Sequence, residues 1–531
     1  MPSDCIPFSD TNYFSSLICD YLDQKSELQP FYNRFPELGN FKDQIKEKQH
    51  SFSKEHRKVL VQALRKQYKG VDPSDLTSQN IGSLDTPTTF TVVTGHQLNL
   101  FTGPLYFLYK IISTINLTNE LKEKHPEYDF VPIYWMATED HDFDEINYFN
   151  LFGKKIQWNR NDGGAVGVFD TEGLDKVFEI FSSEIGSGRN AEYLKTLFKK
   201  AYLQHNHLAD ATRYLANELF GEYGLVIIDG DDSELKRFFI PFVERELTDQ
   251  VAYTKVIPRA EKLEAQGYKV QVNPREINLF YLADGLRERI IEKEERYFVN
   301  ETNISWSKSE ILKELSEFPE RFSPNVMMRP LYQEVILPNL CYIGGGGELA
   351  YWLELKDYFE TVDIPFPMLL LRNSVLIQTK KQAEKIEKLN VSDTELFLKQ
   401  HELINRKVRR ISNINIDFDP QRKHLKEQFE AMYKLAEQTD VTFNNAVKAQ
   451  EIKQLKGLDV LEKRLLKAQR RKLGDHVKRL TTLQNELFPN QSLQERNKNF
   501  AEFYLEYGDD LIPTLMKHLN PLKGEFLILK H

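Results

Sequence analysis

Cysteine is scarce, with Cys5, Cys19 and Cys341 the only three in 531 residues. No CxxC pair occurs among them, which excludes a disulfide framework and a thiolate zinc site and fits a reducing cytoplasm. An excess of positive charge is missing too: 70 Lys and Arg stand against 79 Asp and Glu, a formal net charge of −9. Such a chain has no overall field to hold a phosphate backbone, so nucleic acid is excluded as a main partner. The N-terminus lacks a sustained apolar run and carries Asp4 and Asp10 where a signal peptide needs basic residues. The nearest approach to a membrane span, Thr86 to Tyr109, is free of Asp, Glu, Lys and Arg. Its Thr, Asn, His, Gln, Gly and Pro belong in a protein interior, so no membrane partner is expected. Tandem repeats and low-complexity linkers are also absent.

What the chain has is apolar and aromatic material, 41% hydrophobic residues with 35 Phe and 24 Tyr, which excludes a largely disordered protein. Its length exceeds the roughly 250–300 residues at which single cores stop growing, so more than one domain is expected. The charge-free stretch resolves into a strand, Thr89 to Val93, a loop from Thr94 to Pro104 and a helix in which Leu105, Leu108, Ile111, Ile112, Ile115 and Leu121 keep a helical period. Phe130 to Ala137 reads as a second buried strand. This β-loop-α-β unit implies a parallel pair with a right-handed crossover. Gly224 to Asp229 and Met368 to Leu371 read as further buried strands.

The fold class expected is therefore α/β, a Rossmann-like parallel-sheet core in parts. Residues 1–150 supply its first part and 326–378 its last. Residues 151–325 form inserted connecting subdomains, with a core strand near 224–229 and alternating strands at Asn278 to Ala283 and Arg296 to Val299. Residues 379–487 form an antiparallel coiled coil and 488–531 return to the core. In the helical region Leu473, Val477, Leu480 and Leu487, with Gln484 between, keep the 4,3 spacing of a seam, as do Leu461, Leu465 and Ala468 upstream. An exposed seam of this kind would make a dimer. The basic runs at 406–410 and 470–472 read as the outer face of charged helices.

Chemistry concentrates where the second strand ends. Glu139, Asp140, Asp142, Asp144 and Glu145 place five carboxylates in seven positions around His141. Carboxylates so dense must meet a cation, an amine or a raised pKa, or form a solvated turn capping a helix. Ligands of open α/β sheets bind outside the carboxyl ends of the strands, and parallel pairing would bring His96 and His141 to one sheet edge. A histidine beside carboxylates serves as general acid or base near neutral pH. Gly95, Thr102, Gly103 and Pro104 offer free backbone N–H groups, although neither a GxxxxGK[ST] loop nor a GxGxxG fingerprint is present. No metal is predicted, because the i, i+4 pairing of zinc-binding histidines is missing. A third segment, Asn325 to Glu334 followed by the four glycines 344–347 and Glu348, combines a planar donor, Arg329, with backbone suited to close approach.

In these segments the chain resembles the bacillithiol biosynthesis cysteine-adding enzymes, the BshC family. The resemblance is carried by Thr94-Gly95-His96-Gln97 with Leu100 to Tyr106, by Trp135 to Phe143 with Glu145-Ile146-Asn147, and by Ser323 to Val326 with Arg329-Pro330 and the glycines to Glu348. Order and spacing fit across essentially the whole chain. The resemblance implies a Rossmann-like core related to class I aminoacyl-tRNA synthetases and nucleotidylyl transferases, connecting insertions, and a coiled coil that forms a homodimer. It further implies a cytoplasmic ligase that joins the carboxyl of cysteine to the amine of glucosaminyl-malate, the carboxyl being activated by ATP. Catalytic positions implied are His96, Asp140 and His141. Substrate-binding positions are Gln97, Asn99, Thr102, Gly103, Trp135, Glu139, Asp142, Asn325, Arg329, Gly345, Gly346 and Glu348. His96 and Gln97 would stabilise the activating group, Asp140, His141 and Asp142 would bind or deprotonate the amine, and Arg329 would hold a carboxylate, that of malate. A nucleotidylyl transferase with another substrate and a non-catalytic coiled-coil assembly protein are the rival readings of the same residues.

Overall fold

The structure, a computed structural model, describes residues 3–160 and 163–530. Its centre is a five-stranded parallel sheet built from β1 (Thr89–His96), β2 (Asp129–Met136), β3 (Val226–Asp229), β4 (Asn339–Gly344) and β5 (Met368–Leu371), in the order β5-β4-β1-β2-β3. Every pairing in it is parallel. All eight residues of β1 are buried, Thr and Gly included, because helices cover both faces of the sheet. Strand order reverses between β1 and β4, so the connections leaving their carboxyl ends diverge and open a crevice there.

Helix α1 (Tyr106–Lys124) crosses from β1 to β2. It is buried nearly all round, and Ser113 and Thr114 satisfy their hydroxyls on the carbonyls of Tyr109 and Lys110, at 2.7 and 2.8 Å. Helix α2 (Arg329–Ile336) precedes β4, and α3 (Gly346–Trp352) follows it. The strand β4 itself is a finding that periodicity did not predict. Asn339 to Gly344 is only six residues long and merges into the glycines, so it reads as the approach to a turn.

The material between β2 and β4 contains helices and an antiparallel five-stranded sheet. Its strands, in sheet order, are Ser305–Ser307, Arg296–Val299, Leu286–Lys293, Leu279–Ala283 and Phe322–Pro324. A separate three-stranded sheet joins Ser3–Pro7, Glu525–Lys530 and Val375–Gln378, so the two ends of the chain pair with each other.

Beyond the core, α4 (Gln400–Ile411), α5 (Asp419–Ala436), α6 (Val441–Lys472) and α7 (Gly474–Leu487) form the helical region. Helices α5 and α6 fold back as a hairpin around Phe429, Ala436 and Val447. The heptad seam does not run as one exposed stripe. Leu473 lies at the break between α6 and α7, and with Leu465 and Val477 it packs on Val408, Ile416 and Leu466. Leu480 and Leu487 join the main core, and Gln484 donates to the carbonyls of Leu396 and Leu398 at 3.0 and 2.8 Å. That seam is covered within the chain, by the segment around α4 and by the core. Of the upstream positions only Leu461 is exposed. Among the described residues no helix is long and apolar enough to cross a membrane.

The loop after β1 is held in place by the far end of the sequence. Phe101, Thr102 and Gly103 all have positive φ, at 47°, 66° and 61°. Such backbone is costly for the first two, and at Gly103 a Cβ would lie 2.5 Å from that of Asn99. Asn499 stabilises the turn: its fully buried amide donates to the carbonyls of Phe101 and Gly103 at 2.8 and 2.7 Å. The Tyr202 hydroxyl accepts from the Phe101 N–H at 2.8 Å. Asn499→Ala would leave two buried carbonyls unpaired, each worth roughly 1–3 kcal/mol. We expect it to lower the urea midpoint and to raise hydrogen exchange in residues 100–104. A variant with wild-type midpoint and protection would show that the clamp does not hold the loop.

Candidate active site

A cleft of 990 Å³ opens at the switch point, between the carboxyl ends of β1, β2 and β4 and the inserted antiparallel sheet. Its floor is organised by one ion pair, a buried lysine with a half-buried carboxylate. Lys110, from the first turns of α1, is 3% exposed and lies 2.6 Å from Glu348 Oε2, while its Nζ donates to the Gly95 carbonyl at 2.7 Å. Glu348 in turn caps α3, accepting the Gly345 N–H at 2.8 Å and the Tyr342 hydroxyl at 2.6 Å. Burial opposes ionisation of this carboxyl, but Lys110 and the two hydrogen bonds outweigh it and hold the pKa at about 2. Because Glu348 occupies the N-terminus of α3, that helix end is not free for an anionic ligand.

His96 ends β1 beside this pair. Its ring packs on Tyr106 and Phe107, with centroids 5.4 and 5.1 Å away, and its Nε2 has no hydrogen-bond partner. Burial first, and the nearby Lys110 second, push its pKa down to about 3. His96 is thus a neutral imidazole at physiological pH, and it lines the cleft.

At the end of β2 the acidic run divides. Glu139 is buried and paired with Lys236, which also meets Asp231 at 3.3 Å. The two carboxylates outweigh burial and raise the lysine pKa, which keeps the pair charged. Asp140 turns into the cleft, where its Oδ2 accepts from the Gln97 amide at 2.8 Å and its Oδ1 from the His141 N–H at 2.8 Å. Against its burial, the His141 side chain and backbone N–H, the Gln97 amide and the Arg287 charge hold Asp140 below the usual carboxylate range. The same Gln97 amide reaches Glu145 Oε2 at 3.0 Å, so it bridges two carboxylates. Arg287 lies 2.6 Å from His141 Nδ1. A guanidinium only donates, so that nitrogen accepts and Nε2 carries the hydrogen. In this arrangement His141 is a donor toward a ligand and has no free lone pair with which to take a proton.

Most of the predicted positions converge here, and some do not. His96, Gln97, Trp135, Glu139, Asp140, His141, Asn325, Arg329, Gly345 and Glu348 line the cleft. Asn99 and Gly103 line a smaller adjoining pocket of 310 Å³ that shares Gln97, Tyr106 and Glu145 with it. Thr102 is buried in the strained turn, outside both pockets. Asp142 is exposed and off the cleft, because successive residues after the strand point in different directions. Gly346 faces Phe14 and Ile18, where a Cβ would lie 3.4 Å from Ile18; it serves packing. Asn325 is a joint: its amide donates to Asn278 at 2.9 Å and its Oδ1 accepts the Met327 N–H at 2.9 Å, fixing the inserted sheet to the core. Arg329 donates to Gln333 and to the Tyr351 hydroxyl, at 3.1 and 3.2 Å, and has no carboxylate partner among the described residues.

Residues that carried no sequence signal complete the cleft. Lys110, Arg275, Arg287, Arg289, Arg372 and Arg496 also line it, and with Arg329 they outnumber the lining carboxylates Glu139, Asp140, Glu145 and Glu348. The acidic run thus sits in a site that is cationic on balance, suited to anionic ligands. Arg372 is fixed by Glu495 at 2.7 Å and stacks over Tyr106 at 4.8 Å. Among the described residues, no group of three His, Cys, Asp or Glu side chains is placed to hold a metal ion.

Comparison with known proteins agrees with this organisation. Residues 1–373 match the family described as "Bacillithiol biosynthesis BshC, N-terminal Rossmann-like domain", and residues 375–531 match "Bacillithiol biosynthesis BshC, C-terminal coiled-coil domain". A relative from Christiangramia forsetii is 64% identical, covering 100% of this chain and 99% of its own. One from Flavobacterium johnsoniae is 60% identical over 100% of both, and one from Bacillus mycoides is 27% identical over 97% and 98%. All three bear the provisional name cysteine ligase BshC.

The state of His96 is measurable. An unfolded histidine takes up its proton near pH 6.5, whereas the folded chain protonates His96 only near pH 3. Between those values the unfolded state binds more protons, so this residue's contribution makes stability fall as pH is lowered through the window. Carbon-13 NMR of the imidazoles should show the His96 ring still unprotonated below about pH 5. His96→Gln should remove that signal and flatten the acid limb of stability against pH. A full set of rings titrating between pH 6 and 7 would contradict the buried neutral state.

Proposed function

The chain belongs to the bacillithiol biosynthesis BshC family, and from that premise we propose that it is a ligase that joins the carboxyl of cysteine to the amine of glucosaminyl-malate, using ATP to activate the carboxyl. The observation that carries this reading is the cleft at the switch point, in which cationic donors face a Gln97-bridged pair of carboxylates. Amide formation between two free substrates needs both kinds of group. The donor carboxylate and the nucleotide are anions, while the acceptor amine arrives protonated.

In this reaction an oxygen of the cysteine carboxylate bonds to a phosphorus of ATP as a phosphoanhydride bond breaks. The amine nitrogen then bonds to the carbonyl carbon, the phosphate-bearing oxygen leaves with its electron pair, and the nitrogen sheds its proton. Lys110, Arg329 and Arg372, on the core side, hold the negative charge of the reacting carboxyl and its activating group. His96, neutral and unpartnered at Nε2, lies beside them. Asp140, held anionic, and Glu145 hold the ammonium, and Glu145 receives its proton, while His141 donates from Nε2. The expectation from sequence is that Asp140, His141 and Asp142 together bind the amine or remove its proton; in this reading His141 only donates, because Arg287 engages its other nitrogen.

The helical region supports a homodimer. Leu435, Val441, Phe443, Ile452, Val460 and Leu461 are exposed along the α5–α6 hairpin, a density of apolar surface that association would bury. Val460→Lys with Leu461→Lys should convert a dimer to a monomer in light scattering, without loss of helical content. A wild-type chain that is monomeric at micromolar concentration would refute this arrangement.

Turnover is tested by mass spectrometry of the condensed thiol from cysteine and glucosaminyl-malate, with and without ATP and magnesium. Product is expected only with ATP; product without it would remove the nucleotide from the reaction. Arg329→Gln should raise KM about 10- to 100-fold, the equivalent of losing a charged hydrogen bond of roughly 1.5–3 kcal/mol. Unchanged kinetics would sink its assigned role.

A further inference from the structure

The inserted sheet presents its own cationic wall to the cleft. Arg287 and Arg289 lie two apart on the strand Leu286–Lys293, so both project from one face, and both line the cleft. Phe280, on the neighbouring strand, is the register partner of Arg289. The Arg287 guanidinium stacks over the Phe280 ring at 4.0 Å, its side chain is 8% exposed, and its Nε has no partner. Arg275, from the irregular segment preceding these strands, lines the same wall. Among the described residues neither Arg275 nor Arg289 pairs with a carboxylate, and the acid that comes within 4 Å of Arg287, Asp140, is 3.9 Å away. Three guanidinium groups facing one cavity repel one another until anions separate them.

Building on the ligase reading, we propose that this wall is the acceptor subsite and that it selects a dianionic, dicarboxylate-bearing acceptor, with Arg275 and Arg289 as the specificity-determining residues. Two features favour the acceptor's carboxylates over the nucleotide's phosphates. The wall adjoins Asp140 and His141 at the end of β2, on the amine side of the cleft, whereas Lys110, Arg329 and Arg372 stand across it at the strand reversal. Arginine forks match carboxylates in a plane, and Arg287 is locked by ring stacking and by His141, so a subsite already shaped for two planar anions is in place. Specificity for the acceptor would then reside in the insertion and activation in the core.

The test uses the full-length protein and simple anions, with no turnover required. By calorimetry, malate should bind at least tenfold more tightly than lactate. Arg289→Gln and Arg275→Gln should each weaken malate binding about 10-fold or more while leaving MgATP affinity within about twofold, and Arg289→Lys should recover part of the loss. Arg275 is exposed, so its substitution leaves folding intact if Arg289 proves structural. Malate binding that is no tighter than lactate binding, or that is unchanged in both glutamine variants, overturns the proposal. So does a parallel loss of MgATP affinity, which would give the wall to the phosphates. These results stand apart from the ligase assay: a chain that makes no amide but loses malate on Arg289→Gln keeps the subsite and loses the reaction.

Discussion

Everything in the cleft depends on the ammonium of Lys110 being buried where water cannot solvate it. An isolated charge there is prohibitive, so it must be matched, and the match is made across the strand reversal. Lys110 belongs to the helix that leaves β1, Glu348 to the helix that follows β4, and the Gly95 carbonyl to the end of β1. One ion pair therefore fixes the two walls that a parallel sheet would otherwise let diverge. It also sets the state of its neighbours. The lysine helps keep His96 neutral, and the carboxylate it stabilises blocks the end of α3 and orients Tyr342, whose ring lies beneath the Arg329 guanidinium at 5.6 Å.

The site's polarity runs against that of the molecule. A chain of net charge −9 concentrates arginines where its most acidic segment ends. The segment is tolerated because its acids are treated differently. Glu139 is neutralised by Lys236, Asp140 is held anionic by amide donors, and Asp142 is left to water. Local charge density in a sequence is thus a poor guide to the potential in the cavity it borders. Potential is set by what the fold brings opposite, and here that comes from an inserted sheet, a helix before β4 and the segment near 496.

Much of the core was legible because it obeys simple periods. β1, β2, β3 and β5 are short apolar runs bounded by turn signals, and the helix after β1 repeats at 3.6 residues. β4 was hidden by the glycines that follow it. His96, Gln97, Asp140, Arg329 and Glu348 were legible as polar residues placed at strand ends or among glycines. Arg275, Arg287, Arg289 and Arg496 were not, since each sits in an ordinary charged context and acquires meaning only when elements more than a hundred residues apart meet. Gly346 and Asp142 fail for the opposite reason. They share a motif with cleft residues, yet direction alternates along a backbone, so neighbours in sequence face different surroundings. The heptad seam of α7 was correctly apolar, but a period cannot say which surface covers it, and here α4 and the core do.

The pairing of Ser3–Pro7 with Glu525–Lys530 bears on how the chain is made. In that pairing Cys5 stands opposite Leu527, so the two strands close a loop of more than 500 residues. During synthesis Ser3–Pro7 emerges long before its partner and must wait, with its edge unpaired, until Glu525–Lys530 has been made. The turn after β1 waits as well, since Asn499 is also late. Vectorial synthesis and spatial closure are therefore out of phase in this protein. A chain interrupted before Asn499 would carry an open sheet edge and two bare carbonyls beside the cleft, marks by which a chaperone or protease could recognise it.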